Sequence, residues 1–229
     1  MNRTRRPQTK VAPNFRLYLI TDRKLAALHG GLAKTCAAAL RGARDAGFAG
    51  QVAIQLREKD LPAREMVELA LELHRVCAEL NARLLINDRL DVALASGADG
   101  VHLPADSFSV AQARALVGAQ RLIGVSTHRV EEVGAAAQAG ADFAVFGPIF
   151  APLSKGEYAP PVGVEALCAA CRSGAIPVYA LGGITPQRVA ALAGSGAAGV
   201  GVVGAIMGAA SPEEAVVAML RALGRWASA

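Results

Sequence analysis

From residue 16 onward, short β-branched or Leu-rich runs alternate with Ala-rich segments of helical period, and the alternation recurs eight times. The runs cover 17–21, 51–56, 83–86, 100–103, 122–125, 143–146, 177–181 and 199–203. Strands separated by helices must pair in parallel, because a helical crossover returns the chain to the same end of the sheet. A weak repeat strengthens the count: Gly47, Gly97, Gly140 and Gly196 each close a helical segment and precede the second, fourth, sixth and eighth runs, where a left-handed cap is needed. Eight units of about 29 residues match the usual size of a (β/α)8 TIM barrel. An open doubly wound sheet would carry a Gly-rich phosphate turn after its first strand. Here Leu17 to Asp22 runs instead into Arg23 and Lys24. The expectation is one α/β domain, a barrel over 15–229, preceded by a basic, disordered tail over 1–14.

Composition narrows the setting. Hydrophobic residues make up 53% and aromatic residues only 4%, so the interior is expected to be Ala, Val, Leu and Ile rather than rings. The stretch 189–212 is uncharged, but Gly194, Gly196, Gly199, Gly201, Gly204 and Gly208 interrupt it, so it reads as helix end, turn, strand and turn and not as a membrane span. No apolar run precedes Phe15, which argues against a secretory signal and for a soluble, cytoplasmic protein. Of the net charge of +5, Arg3, Arg5, Arg6 and Lys10 carry four, so the body is near neutral and has no nucleic-acid footprint. Cys36, Cys77, Cys168 and Cys171 sit in Ala/Leu patterns that do not suit a disulfide framework. Cys168 and Cys171 read as two small buried residues on one helix face. A homo-oligomer is compatible with all of this.

The chemistry of a barrel is built at the carboxyl ends of its strands. After the second run, alternation points Gln55, Arg57 and Lys59 one way, and two cations on one rim suit an anionic substrate. The third run leads into Asn87-Asp88, which can cap a helix or, with Asp88 as a hard oxygen ligand, hold Mg2+ against a phosphate chain. His102 ends the fourth run and reads as hydrogen-bonded scaffold. Ser126, Thr127 and His128 follow the fifth; Ser126 can bind a phosphate oxygen, and His128 can move protons or cap the next helix. No G-x-S-x-G elbow is present, which sets aside a serine hydrolase. The loop after the sixth run carries Ser154 and Lys155. Gly182-Gly183 and Val203-Gly204 leave backbone N–H groups bare after the seventh and eighth, where barrels usually cradle phosphate. Two anion sites on one rim imply a reaction between two phosphorylated small molecules.

The segments Leu17-Tyr18-Leu19-Ile20-Thr21-Asp22, Gln55-Leu56-Arg57-Glu58-Lys59, Ile86-Asn87-Asp88-Arg89, Gly100-Val101-His102-Leu103, Gly124-Val125-Ser126-Thr127-His128, Gly147-Pro148-Ile149-Phe150 and Gly182-Gly183-Ile184-Thr185 resemble, in order, the thiamine phosphate synthase family and its TenI-like tautomerase relatives. The resemblance covers about residues 16–215. It implies a barrel enzyme that joins hydroxymethylpyrimidine diphosphate to thiazole phosphate, with Mg2+ and release of diphosphate. On that resemblance Gln55 contacts the pyrimidine. Arg57, Lys59, Asn87, Ser126 and Lys155 hold the diphosphate, Ser154 beside Lys155 binds substrate, and Asp88 holds Mg2+. Gly183, Val203 and Gly204 hold the thiazole phosphate through the backbone.

Two positions depart from the family pattern. Pro104-Ala105 replace Gly-Gln and Ser107 stands where synthases carry a second metal-binding Asp; Asp106, one residue early, is the carboxylate that the Pro104 turn would have to bring in. The loop after the sixth run keeps Ser154 and Lys155 but lacks one threonine. These departures leave two alternatives to a synthase: a thiazole tautomerase with His128 as acid and base, or a catalytically silent phosphate-binding barrel.

Overall fold

The computed structural model describes residues 12–151, 160–173 and 176–226. Eight parallel strands close into a barrel in sequence order: β1 (Leu17–Ile20), β2 (Val52–Leu56), β3 (Arg83–Asn87), β4 (Gly100–Leu103), β5 (Leu122–Thr127), β6 (Phe143–Phe146), β7 (Val178–Leu181) and β8 (Gly199–Val202). Closure comes from β1 and β8, which register Leu17 with Val200, so no strand edge is left unpaired. The helices are α1 (Arg23–Ala26), α2 (Leu32–Asp45), α3 (Ala63–Glu79), α4 (Leu90–Ser96), α5 (Val110–Val117), α6 (Val130–Gln138), α7 (Gly163–Arg172), α8 (Gly204–Met207) and α9 (Pro212–Trp226).

Gly47, Gly97, Gly140 and Gly196 all have positive φ, at 84, 73, 93 and 83°. At Gly47 the cap is a full Schellman motif, with Gly47 N–H donating to Arg44 O (3.0 Å) and Phe48 N–H to Ala43 O (2.8 Å). Gly196 departs from the expected pattern. The segment before β8 holds a 3-10 helix, Val189–Leu192, in place of an α-helix. Gly182, Gly183, Pro186, Gly194 and Gly196 leave too short a stretch for regular helix. Trp226 at the end of α9 covers the gap, its Nε1–H donating to Leu192 O at 2.8 Å. The turn expected after β8 is the short helix α8.

Alternation sorts the strand residues into two layers. Leu17, Leu19, Ile54, Leu84, Ile86 and Val101 point outward and pack under the helices with Ala, Leu and Val. The inner layer contradicts the expectation of a ring-free interior: Phe15, Tyr18, Phe143 and Tyr179 fill the amino-terminal end of the barrel. Phe15 stacks on Tyr179 at 4.8 Å, and Phe143 stands edge-on to Tyr18 at 5.5 Å. Tyr179 buries its hydroxyl but donates it to Phe15 O at 2.8 Å, so the burial leaves no orphaned donor. A low average aromatic content conceals this concentration, because few large inward positions exist in a barrel of this size. Cys168 and Cys171 lie on α7 as expected, but are half-exposed rather than buried. Among the described residues no helix is long and apolar enough to cross a membrane.

Candidate active site at the carboxyl rim

The approach to the rim between β1 and β2 is built around Glu58, a residue sequence reasoning passed over. Glu58 is 5% exposed; its Oε1 accepts from Thr21 Oγ1 (2.8 Å) and from the Arg23 N–H (3.1 Å). Thr21 Oγ1 in turn accepts the Arg57 N–H at 2.9 Å. With Glu58 turned back into this network, alternation sends Arg57 and Lys59 to the mouth of the barrel, on the side of Gln55, and both are exposed. Neither pairs with a carboxylate among the described residues. Arg23 grips Glu58 and Asp60 instead, and the guanidinium holds the Asp60 carboxyl below the usual carboxylate range. Below the rim Gln55 is buried, and its Nε2 donates to Tyr18 Oη at 3.1 Å.

Asn87 is buried at the end of β3, and Asp88 follows it with φ of 64°. The helix-cap reading of this dipeptide is not realised, since Arg89 takes the cap position of α4 and no side chain bonds there. The Asp88 carboxylate accepts the hydroxyl of Ser107. Ser107 is presented by a turn in which its N–H donates to Pro104 O at 3.2 Å, and Asp106 in the same turn is exposed. His102 is the buried scaffold residue expected. Its Nε2 lies 2.9 Å from Ser126 Oγ, and its Nδ1 is buried without a partner. Burial, helped by the charge of Arg57, pushes its imidazole down to about 3, so it is neutral near pH 7.

Ser126 is half-buried beside His102. The His128 ring turns toward β6, with Nδ1 2.6 Å from Gly147 O; Nδ1–H donates, which leaves Nε2 as the nitrogen open to exchange. The cap of α6 falls to Glu132, whose carboxylate accepts the N–H groups of His128 (2.7 Å) and Arg129 (3.2 Å). Ser154 and Lys155 lie outside the described residues.

Gly183 has φ of 62°, and a Cβ there would meet Ala151 O at 2.4 Å and Phe150 Cβ at 2.9 Å, so the position admits only glycine. The chain after β6 continues against this segment, with Ile149 N–H donating to Leu181 O (2.8 Å) and Phe150 N–H to Gly182 O (3.1 Å). The N–H groups of Gly183 and Gly204 have no acceptor among the described residues. Val203 precedes α8 and Gly204 begins it. Arg188, also missed, lies against Gly183, and a signal for it was present: it is the lone cation between Arg172 and Arg221.

Arg57, Lys59, Asn87, Asp88, Ser126, His128, Gly183, Val203 and Gly204 therefore follow the carboxyl ends of β2, β3, β5, β7 and β8 in one closed parallel barrel, and share one rim. Arg57 and Lys59, two cations with no carboxylate partner among the described residues, together with the bare N–H groups of Gly183 and Gly204, favour anions. Asp88 and Ser107 offer two hard oxygens at one point, a donor set suited to a magnesium ion that takes most of its ligands from water and phosphate. No cluster of three or more His, Cys, Asp or Glu side chains suited to a metal occurs among the described residues. A groove of about 420 Å3 lies away from the rim, between α2 and α9, and is lined by surface charges such as Arg41 and Glu213 that face each other.

The family profile described as thiamine monophosphate synthase matches residues 17–206. The chain is 40% identical over 203 residues to the thiamine-phosphate synthase of Roseiflexus sp., covering 89% of this chain and 83% of that protein. It is 40% identical over 198 residues to the thiamine-phosphate synthase of Moorella thermoacetica, covering 86% and 90%. Among solved structures, a thiamine phosphate pyrophosphorylase from Pyrococcus furiosus superposes with a TM-score of 0.81 at 31% identity, covering 93% of this chain and 98% of that one.

Proposed function

Because the chain belongs to the thiamine monophosphate synthase family, we propose that its rim joins hydroxymethylpyrimidine diphosphate to thiazole phosphate with release of diphosphate, a step of thiamine biosynthesis. The observation that carries the residue assignments is the pair of cations without carboxylate partners among the described residues, Arg57 and Lys59, on the same rim as the backbone cradle at Gly183 and Gly204.

In the reaction the bond between the pyrimidine methylene carbon and the diphosphate oxygen breaks, and that oxygen keeps the electron pair. The thiazole nitrogen then supplies its lone pair to the methylene carbon. The protein's task is to hold two reactants, neutralise the departing charge and keep water out. Arg57 and Lys59, together with the Asn87 amide and the Ser126 hydroxyl, bind the diphosphate. Lys155 and Ser154 are assigned to the same group. Gln55 meets the pyrimidine, its amide steadied by Tyr18. Gly183, Val203 and Gly204 hold the thiazole phosphate by their peptides. Asp88, with Ser107 beside it, would hold Mg2+, which supplies positive charge to the leaving diphosphate when bound. Asp106, exposed in the turn that presents Ser107, is assigned to the same ion through water. His128 has no proton to move in this reaction, and serves to tie the β5 end to Gly147.

The test is direct: purified protein with Mg2+ and both substrates should form thiamine phosphate and diphosphate in equal amounts. Failure of that reaction, with chelator-resistant turnover of a thiazole carboxylate phosphate, would assign the rim to the tautomerase relatives instead.

A further inference from the structure

We infer that Arg188 is a positioning residue for the phosphorylated thiazole, acting through the Gly183 peptide and adding charge to a cradle otherwise made of neutral backbone. The inference rests on the function proposed above. Arg188 Nη1 donates to Gly183 O at 2.8 Å and to Ala151 O at 3.1 Å. Its guanidinium carbon lies 5.5 Å from the centre of the Phe150 ring. Its own N–H is committed to Thr185 O at 3.0 Å, so the side chain departs from a fixed turn. One guanidinium group thus holds the Gly183–Ile184 peptide by its carbonyl, at the residue whose φ of 62° places it in the left-handed region, and so fixes the ψ side of Gly183.

A guanidinium has five N–H donors in a rigid fork. Here Nη1 serves two carbonyls, while Nε and Nη2 have no acceptor among the described residues. No carboxylate pairs with Arg188 among the described residues either, although most of the exposed arginines on this protein that form ion pairs do so at short range. A half-buried cation with unpaired charge and unused donors, set against bare N–H groups, has the chemistry of a phosphate monoester contact. Lys could keep the charge, but it could not clamp two carbonyls while stacking on a ring.

The experiment is steady-state kinetics on the full chain with Arg188→Ala, Arg188→Lys and Phe150→Leu. Arg188→Ala is expected to raise KM for the thiazole phosphate by about ten-fold or more, the loss of one charged contact, while KM for the pyrimidine diphosphate and kcat at saturation stay within about two-fold. Arg188→Lys should recover part of that loss. Phe150→Leu, which keeps the charge but removes the stack, should give a smaller rise in the same constant. Equal changes in both KM values would mean a general loss of rim structure, and an unchanged KM for the thiazole phosphate would remove Arg188 from the cradle; either result overturns the inference. Calorimetry with inorganic phosphate separates this from the activity itself: weaker phosphate binding by Arg188→Ala supports the inference even if the wild type makes no thiamine phosphate, and unchanged binding rejects it.

Discussion

The hydroxyl of Ser107 donates to the carboxylate of Asp88 across the loops that follow β3 and β4. A neutral hydroxyl therefore occupies the place from which a second negative charge would act on a metal. With one carboxylate, the affinity for free Mg2+ should be low, and the substrate diphosphate should supply much of the binding. Chelator is expected to abolish thiamine phosphate formation. Ser107→Asp is expected to lower the Mg2+ concentration for half-maximal rate by several-fold, and Asp88→Asn to raise it beyond the accessible range. A Mg2+ titration of activity for the three proteins checks this, and identical curves would separate the pair from the metal.

Arg57→Ala is expected to cut turnover by about a hundred-fold, the scale of losing one preorganised charge against a leaving group. The melting temperature should move little, because the side chain is exposed and pairs with no carboxylate among the described residues. Initial rates and a thermal melt on the same preparation decide it. Wild-type turnover in Arg57→Ala would move the diphosphate elsewhere.

Gly124 faces the barrel interior, and a Cβ there would lie 2.2 Å from the Phe143 ring. The ring cannot withdraw, since Phe15, Tyr18 and Tyr179 hold it on three sides. Gly124→Ala should therefore cost about 1 to 3 kcal/mol, a fall of several degrees in Tm. Phe143→Leu in the same chain should return part of that loss, and additive destabilisation would show the clash to be misassigned.

His102 gives a pH dependence with a definite sign. The buried imidazole stays neutral down to about 3, whereas in the unfolded chain it takes a proton near 6.5. Its contribution is complete above the unfolded value and is lost as pH falls from there toward the folded one. Unfolding free energy should decline by up to about 1.4 kcal/mol per pH unit over that window from this group. Denaturant melts at pH 7 and pH 5 should show the slope in the wild type and a reduced slope in His102→Gln.

Much of this was legible because barrel strands are short and each ends in a polar cluster. The alternation that places Gln55 inside also sends Arg57 and Lys59 to the mouth, and glycine at 47, 97 and 140 can be read as a cap because few other residues adopt that conformation cheaply. Glu58 was hidden because its partners, Thr21 and Arg23, are distant in sequence, and strand register alone brings them together. Arg188 was hidden because it follows β7 by several residues, in a turn that no periodicity describes. The aromatic floor was missed for another reason: an average over the chain cannot reveal that Phe15, Tyr18, Phe143 and Tyr179 meet at one level.

That floor has a consequence for traffic. Rings stacked at 4.8 Å leave no passage through the amino-terminal end, so the barrel is a cup and not a tunnel. Two substrates enter by the mouth, and diphosphate and thiamine phosphate must leave by it. Whichever product lingers stands in the doorway of the next pair, so the enzyme's throughput is tied to the order in which its own products clear the rim.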